Sequence, residues 1–377
     1  MVIFAVYRMA KLTYNNRNAF FFHALKAEVD DYFTKNGIRK TGNWKLYLKA
    51  IILIPTAILI YITLLTGHLN LLTGILLSSL MGFTLSGIGF NIMHDACHGS
   101  YSTKKWVNEL LGLTLNALGG NAFIWKQKHN IIHHTYTNID GIDDDIAKSP
   151  VIRQCHTQVW KPAHRLQHIY LWLVYGLSSF LWIFVIDMVK YGTKKIYTTE
   201  LAKMDRSEHV IFWVSKLLYL VFYVAIPVSM VGWGAWGVGF LFMHLAMGLS
   251  LSVVFQLAHV VEETEFEVVA ADDKIIENEW AIHQIKTTAD FARNNKAISW
   301  FVGGLNFQVE HHLFPRISHV HYPEVSKIVE QKCKEFNIEF HAMPTMGAAI
   351  ASHYRFMKML GKKPEQSQYI LEKAYAR

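Results

Sequence analysis

The sequence predicts an all-α integral membrane protein: four transmembrane helices in two hairpins, with interfacial helices and a cytosolic cap. Three observations predict it. The chain is 52% hydrophobic and 14% aromatic, yet 18% of its 377 residues are charged. That is too apolar for an ordinary soluble enzyme and too charged for a many-span transporter. Uncharged or nearly uncharged runs at about 46–66, 70–93, 209–231 and 233–258 have the ~20 residues a helix needs to cross a bilayer. Histidines then cluster beyond these runs: His94 and His98 where the second stops, His129, His133 and His134 further on, His259 where the fourth stops, and His311 and His312 far downstream.

Residues 1–45 are polar and basic, with Arg8, Lys11, Arg17, Lys26, Lys35, Arg39, Lys40 and Lys45. Within them Phe20, Phe21, Leu25, Val29 and Phe33 recur at helical spacing. That pattern predicts an amphipathic helix, lying on the membrane or packed in the soluble core. Run 46–66 carries one charge, Lys49, and run 70–93 none; Gly67-His68-Leu69-Asn70 turns the chain between them. The basic N-terminal segment marks the open side of this hairpin as cytosolic. His94 and His98 emerge there. Residues 106–125 read as an interfacial helix, and 140–145 as an acidic loop.

Residues 168–188 are also long and apolar enough to cross. Three crossings after His134 would carry His311 and His312 to the wrong face for a shared site. An even number is required, so 168–188 is predicted to lie in the interface and 209–231 with 233–258 to form the second hairpin. The cap then comprises 94–208 and 259–377, in one unit that runs from 46 to 377, and both termini are cytosolic. Pro323 opens an amphipathic helix with Val325, Ile328, Val329 and Cys333 on one face.

Several classes are excluded. The net charge of +8 suits an anionic lipid surface. No helix-turn-helix, zinc-finger spacing or basic-aromatic sheet pattern points to nucleic acid. Cys97, Cys155 and Cys333 are odd in number and widely spaced, and form no disulfide framework. There is no signal-peptide pattern and no glycine-rich nucleotide loop.

The histidines carry the chemistry. His94 and His98 are four apart, as are His129 and His133, so each pair shares a helix face. Neutral imidazole is the commonest metal ligand. One such pair arises by chance in many helices; three clusters around apolar runs do not. Zinc needs only four ligands. Eight rings point to two ions, and two nitrogen-held ions point to iron working on dioxygen.

The segments His94-Asp95-Ala96-Cys97-His98, His129-Asn130-Ile131-Ile132-His133-His134 and Gln308-Val309-Glu310-His311-His312 resemble the three histidine boxes of the membrane fatty acid desaturases. Gln308, where a third box can begin with His, resembles the front-end subgroup, which places a new double bond between an existing one and the carboxyl end. The likeness extends through 256–263 and 280–323, and covers most of the chain from about residue 45.

The resemblance implies a di-iron centre in the cap. His94, His134, His259 and His312 would hold one iron, and His98, His129, His133 and His311 the other. Gln308 would offer its amide to a metal, to a metal-bound water, or to a ligand as a hydrogen-bond partner. Asp95, Asp143, Asp144, Asp145 and Glu310 are candidates for holding imidazole N–H groups. His164, His168, His283, His319, His321 and His341 belong to no box, though His283 and His319 fall in similar surroundings. Molecular oxygen is the implied co-substrate and a fatty acyl chain, as acyl-CoA or acyl-lipid, the implied substrate. Some relatives carry a fused cytochrome b5 with a His-Pro-Gly-Gly motif; this sequence has none, so electrons are expected from a separate ferredoxin or free cytochrome b5. The implied location is a bacterial cytoplasmic membrane, with the endoplasmic reticulum as the alternative.

Two other readings compete. Related di-iron hydroxylases and sphingolipid desaturases use the same boxes. A metal or haem carrier would instead need ionisable or Met/His residues along its spans, and 71–93 has no ionisable residue.

Overall fold

A computed structural model describes residues 12–16, 19–147, 149–267 and 275–364. Arg8, Lys11, Arg17 and the termini Met1 and Arg377 lie outside them, so the expectations about those residues do too.

Apolar side chains all round make the spanning helices. Helix α2 (Trp44–Thr66) starts where Asn43 accepts a hydrogen bond from the Lys45 amide, and α3 (Leu71–His98) where Asn70 accepts one from the Thr73 amide at 2.9 Å. The turn at 67–70 therefore falls where the sequence places it. Among the described residues, four helical stretches are long and apolar enough to cross a membrane: Trp44–Thr66, Leu71–His98, Pro162–Thr193 and Arg206–His259. The last is not one rod. The backbone leaves the helix at Gly232, with φ 79°, a conformation glycine adopts without a Cβ clash. Across this break Trp236 Nε1 donates to the Tyr223 carbonyl at 2.8 Å, and the Tyr219 hydroxyl meets His244 Nε2 at 3.0 Å. Residues 25 apart in a straight helix would be about 37 Å apart, so the chain doubles back. The two arms are α7 (206–231) and α8 (233–259), the hairpin drawn from the sequence.

The chain between the hairpins supplies α4 (Lys105–Gly112), α5 (122–136) and α6 (Pro162–Thr193). The single interfacial helix expected over 106–125 is instead three short pieces, Lys105–Gly112, Thr114–Ala117 and the start of α5. The break has a packing cause. Gly119 has φ +96°, and a Cβ there would lie 2.7 Å from Tyr219 Cε2, so the chain bends to let α7 in. α4 nonetheless leaves Trp106 and Leu110 exposed, an apolar face turned outward.

Helix α6 contains the segment 168–188. Its middle lies against α8 at glycines: a Cβ on Gly248 would come within 2.3 Å of the Gly176 carbonyl oxygen. Ser178 donates to the Gly248 carbonyl at 3.2 Å, and Ser179 to the His244 carbonyl at 3.0 Å. Both ends meet the cap. Gln167 bonds the Arg153 amide and carbonyl and the Met357 carbonyl at 2.8–3.0 Å. At the other end Lys190 pairs with Asp144.

In the cap, α1 (Phe20–Lys35) buries Phe21, Leu25, Val29 and Phe33 against Val309 and Leu313 and against Val325, Val329 and Cys333 of α11 (Tyr322–Glu335). Of the two readings for this helix, the packed one is observed. Further cap helices are α9 (Trp280–Lys286), α10 (Gln308–Leu313) and α12 (Met346–Leu360), with a short helix Lys296–Phe301 between α9 and α10. Three two-residue ladders clasp loops together. β1 (Thr13–Tyr14) pairs in parallel with β4 (Ile275–Ile276), β2 (Lys195–Ile196) antiparallel with β3 (Thr199–Glu200), and β5 (Asp290–Phe291) in parallel with β6 (Ala342–Met343).

Candidate metal centre

Three helix ends and one short helix bring the histidines together. α3 winds as a π-helix over Gly89–Met93, just before His94, and stops at Gly99 in the left-handed conformation, φ 73°. α5 is π-helical over Gln127–His133. α8 ends at His259, and α10 carries His311 and His312. π turns often mark functional sites. Here the wider turn stacks His129 on His133, with centroids 5.3 Å apart and planes at 22°. All eight rings are buried, and His98 is the most open at 9%.

Among the described residues the ring donor atoms form two all-histidine groups, and His129 and His133 also come together with Asp145. Those of His94, His98, His129 and His311 lie within 4.8 Å of one another, as do those of His133, His259 and His312. His134 joins both: its Nε2 is 3.3 Å from His129 Nε2, and its ring stacks on His312 at 4.4 Å. These two all-histidine groups differ from the division implied by the resemblance in one exchange, His94 for His133. The π turn is the cause. It sets His133 beside His259 and His312, at 4.7 and 5.0 Å between centroids, and leaves His129 facing His94.

The rings fit metal ions on two counts. First, His259, His311 and His312 each have one nitrogen held and the other free, and His133 is held at Nδ1. His133 Nδ1 meets Asp143 at 3.0 Å, His312 Nδ1 meets Gln284 Oε1 at 2.8 Å, His311 Nδ1 meets the Tyr322 hydroxyl at 3.2 Å, and His259 Nδ1 donates to the Thr287 carbonyl at 3.2 Å. Buried Nε2 atoms of His98, His259, His311 and His312 have no hydrogen-bond partner. An unpaired buried acceptor is costly, and a cation among them removes that cost. Second, His129 Nε2 has the Nε2 atoms of both His94 and His134 at 3.3 Å. A neutral ring nitrogen either carries one proton or accepts one, so it cannot satisfy two such neighbours as cleanly as a shared ion does.

Electrostatics agree. Burial pushes His129, His134, His311 and His312 well below the usual imidazole range, with neighbouring rings adding to it. They are neutral, as ligands must be. For His133 burial also acts downward, but the carboxylates of Asp143 and Asp145 more than offset it and its pKa is raised.

The carboxylates divide by role. Asp143 and Asp145 hold His133, at 3.0 and 3.3 Å. Asp143 also accepts the Asn138 and Asp145 amides at 3.0 Å. Asp144 faces Lys190 and Lys128 instead. Asp95 holds no box ring. It accepts from Ser318 at 2.6 Å and from His319 Nδ1 at 3.0 Å, while His319 Nε2 meets the Nζ of Lys49 at 2.9 Å. The one charge in the first span thus joins a buried polar chain to the first box. Glu310 orients no ring either. It is buried beside Asp290; burial raises Glu310 to about 7, and burial together with Glu310 raises Asp290 far above the carboxylate range.

Gln308 is 1% exposed, and neither of its amide atoms has a hydrogen-bond partner. Outside the boxes, His283 Nε2 donates to the Thr137 carbonyl, 2.9 Å away, and His321 Nε2 to the Thr41 carbonyl, 3.1 Å away. His164 accepts from the Lys161 amide, His168 packs on Tyr354, and His341 lies near Glu339. Five residues that sequence reasoning missed support the site: Thr137, Gln284, Thr287, Tyr322 and Asn138. Asn138 adopts φ 57° and donates to the His259 carbonyl at 2.8 Å, tying the second box to the end of α8. Asparagine tolerates that backbone, but nothing in the sequence marks it.

Apolar space adjoins the rings. A cavity of about 30 Å³ beside His94 is lined by Met93, Trp125, Met247, Leu251 and Phe255 among others. A second, of about 630 Å³, lies at the far turns of the two hairpins. Leu85 and Met247 line the first, and Met81 and Met243 the second, one helical turn further along α3 and α8.

An apolar helical bundle closed by a buried histidine cluster able to hold metal defines a class: membrane-embedded, with its chemistry at one end of the bundle. The chain belongs to the fatty acid desaturase family, whose model matches residues 69–344. It is an oxidoreductase of lipid metabolism. It is 35% identical to the sn-1 linoleoyl-lipid 6-desaturase of Arthrospira platensis over 90% of this chain and 92% of that one. It is 35% identical to the enzyme of the same description from Synechocystis sp. over 91% and 96%. An acyl-lipid (8-3)-desaturase of Physcomitrium patens is 35% identical over 94% of this chain and 75% of its own length.

Proposed function

We propose that this enzyme is a front-end acyl-lipid desaturase that inserts a cis double bond between an existing one and the carboxyl end of a lipid-bound chain such as linoleoyl. The observation that carries the chemistry is the set of rings, His259, His311 and His312, held at Nδ1 with Nε2 free. His94, His98, His129 and His311 would hold one iron, His133, His259 and His312 the other, and His134 lies between them. Iron bound there would supply the dioxygen reduction needed to break an unactivated C–H bond. Asp143, Gln284, Tyr322 and the Thr287 carbonyl fix the rings before any substrate arrives. Trp125, stacked on His129 at 4.3 Å, and Phe255 keep water from the same edge. The acyl chain would run from His94 between α3 and α8 toward the larger cavity. The smaller cavity holds about one methylene, so Met93 and Met247 must turn aside, as unbranched thioethers can. Front-end placement is supported by Gln308 and by the names of the relatives.

The cap faces the cytosol in this reading, in a bacterial cytoplasmic membrane. α6 lies along the membrane surface; its two cap-bound ends support that, because a crossing helix carries its ends to opposite faces. Electrons come from a separate acidic carrier, a ferredoxin or free cytochrome b5.

Expression in a host with a simple lipid profile, fed linoleate, tests the proposal. Gas chromatography–mass spectrometry of the methyl esters should show loss of two hydrogens on the carboxyl side of the existing double bonds. A product that gains one oxygen instead would make the enzyme a hydroxylase. New unsaturation on the methyl side would overturn the front-end assignment alone.

A further inference from the structure

The metal centre is wired to a helix that holds none of its histidines. Lys190, near the end of α6, pairs with Asp144 Oδ2 at 2.5 Å. Lys128 lies 3.5 Å from that same oxygen and 2.5 Å from Asp145 Oδ1. Asp145 Oδ2 is 3.3 Å from His133 Nδ1, which Asp143 also accepts at 3.0 Å. The Lys190 and Asp144 side chains are 9% and 13% exposed. The loop that bears the three carboxylates is also tied to α6's own connection, where Thr198 donates to the Gly141 carbonyl at 2.5 Å, and to the segment before α6, where Thr157 donates to Asp140 at 2.6 Å.

We propose that Lys190 is a positioning residue, a latch through which the seating of α6 in the membrane interface sets the orientation of His133. This rests on the reading above that His133 binds metal. The charge count supports it. Three carboxylates, Asp143, Asp144 and Asp145, face two ammonium groups, Lys128 and Lys190. The one uncompensated negative charge falls to His133, where it raises the basicity of a ligand. Without Lys190, or without Asp144, the loop loses this tie to α6, and Asp143 and Asp145 are no longer held at His133 by the seating of that helix. Partly buried pairs of this kind are sensitive to loss of one partner, because the other charge stays buried. A latch also explains why α6 follows the α8 surface so closely at Gly176 and Gly248: a helix that could slide would transmit nothing.

The test uses the full chain in detergent, loaded with cobalt(II) alone, and reads the visible ligand-field spectrum and the rate of cobalt release to excess chelator. Lys190→Met should release cobalt about tenfold faster, in the range usual for groups behind metal ligands, with an altered spectrum. Lys190→Arg should restore both, since it keeps the charge and the reach. Asp144→Asn should match Lys190→Met, and the double variant should add nothing further, as two ends of one link require. Release within twofold of wild type in Lys190→Met overturns the latch. Should that variant not accumulate, wild-type release in Asp144→Asn overturns it equally. A wild-type chain whose cobalt uptake is indifferent to His133→Ala overturns the metal reading itself, and the latch with it.

Discussion

At the scale of the residue, Gln308 is the informative case. A buried amide with both ends unpaired is costly in a folded protein, and chains keep such groups where a ligand or bound water completes them. Gln308→Ala is therefore expected to abolish or nearly abolish desaturation while the protein still inserts and folds, a contrast read by fatty acid analysis beside membrane yield. An exposed glutamine would tolerate the change within about 0.5 kcal/mol. Gln308→His restores an imidazole at the spacing of the first two boxes, yet cannot offer both a donor and an acceptor as the amide does; iron content should survive better than activity. Full activity in the alanine variant would make the glutamine incidental. The histidines themselves were legible because ligand chemistry needs particular residue types at particular spacings. Their grouping in space was not, because a π turn has no spacing signature: His129 and His133 stack as a pair, yet His129 lies among His94, His98 and His311, and His133 among His259 and His312. Asp95 misled for a similar reason. It sits inside a box by sequence, but its carboxylate points at Ser318 and His319, more than 220 residues away.

At the scale of the element, glycine and methionine carry the packing between α6, α8 and α3. Gly248 meets the carbonyls of Gly176 and Tyr175, and backbone cannot step aside as a flexible side chain would. Gly248→Ala should cost about 1–3 kcal/mol, the usual penalty for overpacking, visible as a lower thermal midpoint in detergent. An unchanged midpoint would mean that α6 is free to shift, against both this packing and the latch. The apolar wall beside His94 predicts the opposite phenotype. Leu251→Trp fills a cavity of about 30 Å³ and touches no proposed ligand, so it should keep metal and fold while losing turnover of lipid-bound chains. Retained turnover would show that the chain enters by another route. Hairpins and the amphipathic α1 and α11 could be read ahead because their burial follows simple periodicity. The broken helix at 106–125 could not, since its cause, Tyr219 against Gly119, is a contact between residues 100 apart.

At the scale of the whole molecule, the question is which face each loop occupies. The sequence argument counted crossings: the boxes must share a face, so 168–188 cannot cross. The structure adds a local reason. Lys190 and Gln167 tie the two ends of α6 to cap elements that also carry or border the histidines. These two arguments are independent, and one experiment addresses both. Cys97, Cys155 and Cys333 are buried, so single cysteines placed at exposed sites can be read against a low background with a membrane-impermeant maleimide. His68→Cys and Gly234→Cys, at the far turns of the two hairpins, should label from outside intact cells. Lys105→Cys, Lys161→Cys and Lys195→Cys should label only after permeabilisation; the last two bracket α6. If Lys161 and Lys195 label from opposite sides, α6 crosses the membrane, and a cap holding His129 and His311 together could not lie on one face. If all three cap positions label together, the eight rings share the face on which a soluble electron carrier is available. The apolar space between α3 and α8 then opens toward them from the bilayer, so lipid and electrons would reach the proposed metal site from different directions.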